Sequence, residues 1–477
     1  MEEVIKKVGK NATWHLIGKS VSTVLSMVLI FFLARLLGPT DYGTFALVIT
    51  ILTLSHQLTT LGLEHGLPYF MQKYKEQMAS LVKKIISVRL IIGVITAIAV
   101  FVAADYIGVF YNNTELGSYL RLTALFIPFF ILMNISYYIF QGFNNLKHYM
   151  NVDLLFSATK FASLLLIIIG LGITGAVIGY GISYLITVLF AYAVIYNKLS
   201  KGSEFTERKE LLKYSTTMFF TSIFMTLSNY LMNLYLGFNS SELSFFDLSN
   251  KAGLFILLIS GAISSALLPS IINKKKEEIK ELTGRFMKYV FIYALPIATI
   301  FFSASNFIIT LLLGSEYLGM ISVFRVMAIG LSAMAFYQIY ESITYGTGKP
   351  RIVLWISIIK VIITIALSSY LINAFNASII FTGLMVSALI IMSVTQRKYV
   401  KHNWVSYVKS LISALPLIIV VNVYTGPIMK ILLFSLAAVF YALMVYYKVL
   451  DKQDRGFITK LIKKIISLLY AKKTKCI

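Results

Sequence analysis

Apolar runs of about 20 residues, the length that crosses a bilayer core as a helix, recur along the whole chain between short clusters of charge. Fourteen are read, near 14–34, 42–63, 85–104, 119–140, 150–170, 174–196, 215–236, 245–268, 286–305, 320–341, 352–372, 377–394, 409–425 and 428–447. Two adjoining stretches, 106–111 and 307–313, read as apolar extensions and not as further spans. No run carries a small-residue cleavage site ahead of a soluble domain, so no signal peptide is expected. The pattern predicts an all-α polytopic membrane protein.

Composition supports that reading. Hydrophobic residues make up 58% of the 477 and charged residues 13%, with a mean hydropathy of +0.81. Soluble domains lie near roughly 45–50% and about 25%, so soluble enzymes fall away. The one cysteine, Cys476, leaves no intramolecular disulfide, no thiolate metal cluster and no prenylation box. His15, His56, His65, His148 and His402 show no ligand spacing, and no metal site is predicted.

The net charge of +23 is placed by the loops. With the N-terminus and every even-numbered loop on one side, that side holds Lys6, Lys7, Lys10, Lys73, Lys75, Lys83, Lys84 and Lys147. It also holds the 198–213 and 274–288 clusters, Lys349, Arg351, the basic residues from Arg397 to Lys409 and those from Lys448 on. The opposite connections hold only Arg35 and Lys430, both at helix ends. Such asymmetry is the positive-inside signal. It places both termini in the cytoplasm and makes nucleic acid unnecessary as a partner. Short outer loops leave no extracytoplasmic domain.

The chain also repeats itself. Leu36-Leu37-Gly38-Pro39 to Lys75-Glu76 returns as Tyr235-Leu236-Gly237 to Lys276-Glu277. Phe45 then matches Phe246, Leu47 matches Leu248, Pro68 matches Pro269, and further on Asp105, Arg121 and Gly142 match Asn306, Arg325 and Gly346. The near-constant offset marks two six-helix repeats of like orientation, related by an axis along the membrane normal with a substrate path between them. The expected division is a first lobe at 1–197, a linker at 198–213, a second lobe at 214–396, two further helices at 397–449 and a basic tail at 450–477.

Between the first two runs stands Leu33-Ala34-Arg35-Leu36-Leu37-Gly38-Pro39-Thr40-Asp41-Tyr42-Gly43-Thr44-Phe45-Ala46-Leu47. This resembles the signature of Wzx-type polysaccharide-biosynthesis flippases, members of the multidrug/oligosaccharidyl-lipid/polysaccharide superfamily. Phe246 through Ala266-Leu267-Leu268-Pro269 resembles that family's eighth helix. The resemblance implies a MATE-like fold of fourteen helices, six plus six plus two, working by alternating access. It also implies a cavity lined by the first, second and seventh helices. Where relatives carry an acid near the outer end of the seventh helix, this chain has Met232-Asn233. Physically the signature is a helix exit and entry: Gly38-Pro39 stops one helix and Asp41 is placed to cap the next.

Seven basic residues fall inside the runs: Lys19, Arg89, Arg121, Lys160, Lys251, Arg325 and Lys360. Each costs several kcal/mol at the bilayer centre unless paired or wetted. Arg121 and Arg325 stand at helix starts and Arg89 one turn in, from where they can snorkel. Lys160 and Lys360 sit near mid-span, roughly 15 Å from either interface, and so must face protein or water. Lys160 has Asp153 seven residues before it and Lys251 has Asp247 four before it, good pairing geometry on a helix. Lys360 has no acid within two turns on its own helix.

Polar stripes mark the same interior: His15, Lys19, Ser22 and Ser26; Thr50, Thr53, Gln57, Thr60 and Glu64; Ser222, Thr226, Asn229 and Asn233. In lipid such stripes also serve simply as glue between helices. With Glu64, Asp105, Asp153, Asp247 and Glu341 as the acids, the interior reads neutral to cationic, which favours a polyanionic substrate. A prenyl-(pyro)phosphate-linked oligosaccharide fits: phosphate on Lys19, Lys160, Lys251 and Lys360, sugar hydroxyls on Ser22, Ser26, Gln57, Asn229 and Asn233, and the prenyl chain in lipid. No cofactor is called for. Na⁺ or H⁺ coupling is left open, with Asp153, Asp247, Glu64 and Glu341 as the groups that would serve it, Asp247 acting with Lys251 more than as a dedicated ion carrier.

A drug or cation exporter of the same superfamily is the rival reading, and needs cavity carboxylates. A polymerase or ligase is disfavoured by the short outer loops, and no phosphate loop points to an ATPase, so no enzymatic activity is expected. Residues 457–470 read as a basic amphipathic helix on the anionic inner leaflet. Glycan-biosynthesis enzymes are natural neighbours for such a protein.

Overall fold

The structure, a computed structural model, describes residues 2–199, 203–271, 274–421, 427–452 and 454–456. Side chains are described from Ser20 onward, except at Leu146, Thr217, Ser265, Ala266, Leu268, Pro269, Val421, Pro427, Ile428 and Lys430. The surface helix expected at 457–470 lies outside these residues. Among the described residues all regular structure is helical.

The helices are α1 Glu2–Thr59, α2 Leu63–Lys73, α3 Met78–Phe110, α4 Thr114–Ala124, α5 Ile127–Gly142 and α6 Leu146–Thr159. There follow α7 Ala162–Leu166, α8 Gly172–Lys198, α9 Arg208–Leu236, α10 Ser240–Ala252, α11 Leu254–Ile271 and α12 Lys276–Ser303. The last six are α13 Ser305–Leu312, α14 Ile321–Gly346, α15 Pro350–Ala366, α16 Ala374–Thr395, α17 Trp404–Val421 and α18 Pro427–Met444.

Each predicted run is mostly helical where its residues are described, and several are interrupted by short non-helical stretches, among them 60–62, 125–126, 160–161, 253, 304 and 367. Length and apolarity alone single out seven helices among the described residues, or nine if each sharply bent pair is one span. Two of the seven, Ser20–Thr59 and Lys147–Lys198, are 40 and 52 residues long. At 1.5 Å per residue they are about two and about two and a half times the bilayer core of roughly 30 Å, and each is broken at a glycine. Gly38 takes φ 77°, ψ 171° inside α1, and Gly170 takes φ 95° between α7 and α8. These are left-handed φ values that only glycine adopts at no cost.

Pro39 opens the helix after the Gly38 break, so Asp41 lies in its first turn and does not cap it, contrary to expectation. In the second repeat the equivalent start is capped by Asn239, whose Oδ1 accepts from the Glu242 amide at 3.3 Å. Two further spans are bent pairs: α4 and α5 meet at 55°, α10 and α11 at 45°.

The surface shows what surrounds the molecule. On α3, Val88, Ile91, Ile95, Ile98 and Val102 are exposed, while Arg89, Gly93 and Thr96 on the other face are buried. An apolar stripe outward and a polar one inward is the pattern of a helix solvated by lipid. The protein is integral to the membrane.

By packing, the chain forms two units. The first takes residues of 1–254, 308–327 and 349–384; the second takes residues of 255–307, 328–348 and 385–477. In the first, α1 packs on α6 and α10, α9 on α15, and α3 on α4 and α5. In the second, α12 packs on α17 and α17 on α18. There Lys288, read from the sequence as part of the basic 274–288 cluster, is 3% exposed and paired with Asp454 and with Asp451 at 3.3 Å.

Candidate functional site

The first unit contains Lys160, Lys251 and Lys360, at different places in the chain. Lys160 stands where the fifth span is interrupted, between α6 and α7. The carbonyl exposed by that interruption is taken up by Ser163, whose amide and hydroxyl reach Lys160 O at 3.0 and 2.6 Å. The Lys160 ammonium donates to Ser26 Oγ at 3.0 Å and lies 4.5 Å from the Phe156 ring centre and 5.6 Å from that of Tyr180. Hydroxyl and ring faces replace part of its lost hydration.

Around it the helix 1 stripe meets α6. Ser22 and Ser157 hydroxyls share a hydrogen bond at 2.7 Å, Ser26 and Ser157 at 3.2 Å. Ser22 Oγ also donates to the Asp153 carbonyl at 3.4 Å, and Tyr137 donates to Asp153 Oδ1 at 3.4 Å. Lys19 and His15, predicted on the same stripe, lie outside the described side chains.

Lys360 is 7% exposed on α15, on one face with Ser357 and Thr364. Thr364 Oγ1 donates back to the Lys360 carbonyl at 2.8 Å. Lys251 pairs with Asp247 at 2.6 Å, as predicted from their i, i+4 spacing. The structure adds a third member that the sequence does not reveal. Tyr42, fully buried, donates to Asp247 Oδ2 at 2.9 Å and accepts from Lys251 Nζ at 3.1 Å.

The stripes on the second and seventh spans meet directly. Gln57 Nε2 donates to Ser222 Oγ at 2.8 Å, and Asn233 Nδ2 donates to Thr50 Oγ1 at 3.2 Å. Asn229, on the same stripe, is exposed.

One expectation about the charges changes. Arg89 does not snorkel to headgroups: it and Glu64 are 0% and 1% exposed and paired at 2.7 Å. The cause is a second interruption, at Leu61 (φ 49°) and Gly62 (φ 68°), which ends α1 at Thr59 and starts α2 at Leu63. Arg89 donates to the freed Thr59 carbonyl and to Glu64 in the next first turn, stapling the break. His56 Nε2 lies 3.6 Å from the other Glu64 oxygen. Gly62 itself was the available signal. Arg121 pairs with Asp105, both still exposed. Glu341 accepts from Tyr345 at 3.4 Å, in the second unit.

With this geometry in hand, comparison with known proteins is informative. A family of polysaccharide biosynthesis proteins matches residues 32–322, more than half of the chain, with the first copy of the repeated segment and most of the second. The chain belongs to the polysaccharide biosynthesis protein family. A relative from Shigella flexneri, provisionally named an O-antigen transporter, is 21% identical over 391 residues, covering 77% of this chain and 91% of its own. Among solved structures, the lipid II flippase MurJ in an inward closed conformation superposes with a TM-score of 0.74 at 14% identity, over 91% of this chain and 98% of that one. An inward-facing MATE multidrug transporter, of the superfamily abbreviated MOP, superposes at 0.65 and 15%, over 80% and 97%. This member of the family therefore has the fold shared by flippases and drug transporters.

Proposed function

We propose that the protein is a flippase. It carries a prenyl-(pyro)phosphate-linked oligosaccharide from the cytoplasmic to the outer leaflet of the plasma membrane by alternating access, with both termini in the cytoplasm. The observation that carries this reading is the burial of Lys160 and Lys360 in mid-span with serine and threonine hydroxyls near them, in the same packing unit as Lys251. Ammonium groups at that depth attract phosphate as point charges, and hydroxyls suit a sugar. Family membership and the named relative support a glycan-related cargo.

A drug exporter requires a carboxylate available to a cation. Here Glu64 is bound to Arg89, and Asp247 to Tyr42 and Lys251. The same contacts support a further part of the reading: Asp247 works electrostatically with Lys251 and is not a carrier of Na⁺ or H⁺. Under this proposal the neighbours are the glycan-biosynthesis enzymes and, at the basic tail, anionic lipid.

Lys160→Ala and Lys360→Ala should each cut glycan export at least tenfold while membrane levels stay near wild type. Wild-type export by both variants would remove the head-group site. For the pair, Asp247→Lys with Lys251→Asp should keep much of the export that Asp247→Asn loses. A dead swap, together with loss of ion-dependent transport in vesicles carrying Asp247→Asn, would make Asp247 the ion carrier instead.

A further inference from the structure

The signature Thr40-Asp41-Tyr42-Gly43 identifies the family, and its structure shows a use for it beyond turning the chain. After the Gly38 break, this segment of α1 runs directly against the start of α10. A β-carbon on Gly43 would lie 1.7 Å from the Ser240 carbonyl oxygen, so backbone meets backbone there. Thr40 Oγ1 and Ser241 Oγ share a hydrogen bond at 3.0 Å, and Thr44 Oγ1 and Ser240 Oγ another at 3.0 Å. Thr40 and Ser241 are separated by 201 positions, the same offset that aligns Phe45 with Phe246. The two copies of the repeat thus touch through equivalent residues, as a two-fold contact does. Between related halves that rock against each other, such a contact seals one end. The loop charges place that end outside.

Tyr42 lies one residue from this contact, and its hydroxyl is the bridge between α1 and the Asp247–Lys251 pair on α10. Its ring centre also lies 5.5 Å from the Lys251 ammonium. The hydroxyl can serve both charges only while the segment of α1 after Gly38 and α10 are together. We propose that Tyr42 is a positioning residue that makes sealing this end and immobilising Lys251 a single event: closure fixes the ammonium against Asp247 and Tyr42, and parting of the helices releases it. Because the link is thermodynamic, it runs both ways. Whatever draws Lys251 away from the pair, an anionic head group included, favours opening. That last step rests on the flippase reading; the link itself does not.

The test uses the full chain in lipid nanodiscs without substrate, so it is decided independently of what the protein carries. On a Cys476→Ser background, Thr40→Cys with Ser241→Cys reports closure through the initial rate of disulfide formation under mild oxidant. On the cysteine-bearing wild-type chain, acylation of Lys251 by a water-soluble amine reagent, read by mass spectrometry, reports its release. Tyr42→Phe keeps the ring and removes only the bridge. It should slow cross-linking at least threefold and speed acylation at Lys251 at least threefold. The cross-linked wild-type pair should in turn protect Lys251. If Tyr42→Phe leaves either rate unchanged, or cross-linking leaves Lys251 as reactive as before, the coupling does not exist.

Discussion

At the scale of single residues, the membrane interior forces each charge to find a partner, and the partners differ in kind. Lys160 is held by a hydroxyl and two rings. Arg89 has a carboxylate and a free backbone carbonyl. That difference predicts different responses to mutation. Removing one member of a buried ion pair leaves an uncompensated charge and costs about 3–5 kcal/mol, whereas removing both is often close to neutral. Glu64→Gln should therefore lower the melting temperature of the purified protein by several degrees. Glu64→Gln with Arg89→Met should recover at least half of that loss. If the double variant melts no higher than the single one, the pair is not what holds the break in place.

Among the elements, the connection from α8 to α9 shows how a loop read only as a basic linker becomes a packed strap. Phe205 is 2% exposed and stands edge-on to Phe70 and Tyr74, with ring centres 6.4 and 5.9 Å away. Its amide donates to Ser80 Oγ at 3.2 Å, and the Ser203 amide to the Glu76 carbonyl at 3.0 Å. The Lys73 and Tyr74 donors hold the Glu210 carboxyl below its ordinary range, fastening the far end. Truncating a buried phenylalanine costs about 3–5 kcal/mol, here paid by local opening. Phe205→Ala should speed tryptic cleavage after Arg208 and Lys209 at least tenfold, with α-helical content unchanged. Unchanged cleavage would mean that the strap is held elsewhere. What the sequence allows one to read is governed by the same distinction. Positions of the spans follow from apolar length, and the Gly38-Pro39 break from two residues that stop helices. The Lys251–Asp247 pair is legible because both lie on one helix. The role of Tyr42 and the fate of Arg89 are not, because each depends on a neighbour brought close only by folding. The interruption at Lys160 has no glycine or proline to announce it.

For the molecule as a whole, the decisive quantity is which side of the membrane its charge lies on. The basic clusters at 198–213 and 274–288 belong to different packing units, so together they test the orientation of both. Moving such clusters across a bilayer is opposed by the cost of each charge in hydrocarbon, which is why loop lysines and arginines set topology. Ser203 and Glu278 are exposed sites within or beside these clusters. On a Cys476→Ser background, Ser203→Cys and Glu278→Cys should resist an impermeant thiol reagent added to intact cells. Both should react once the membrane is permeabilised, which shows that the thiols are accessible in the folded chain. Labelling of both from outside would invert the protein, place the Tyr42 seal on the cytoplasmic end and reverse the direction of every step built on it. Labelling of only one would break the span assignment itself, since two spans, 215–236 and 245–268, separate these loops and an even number must return the chain to the same side.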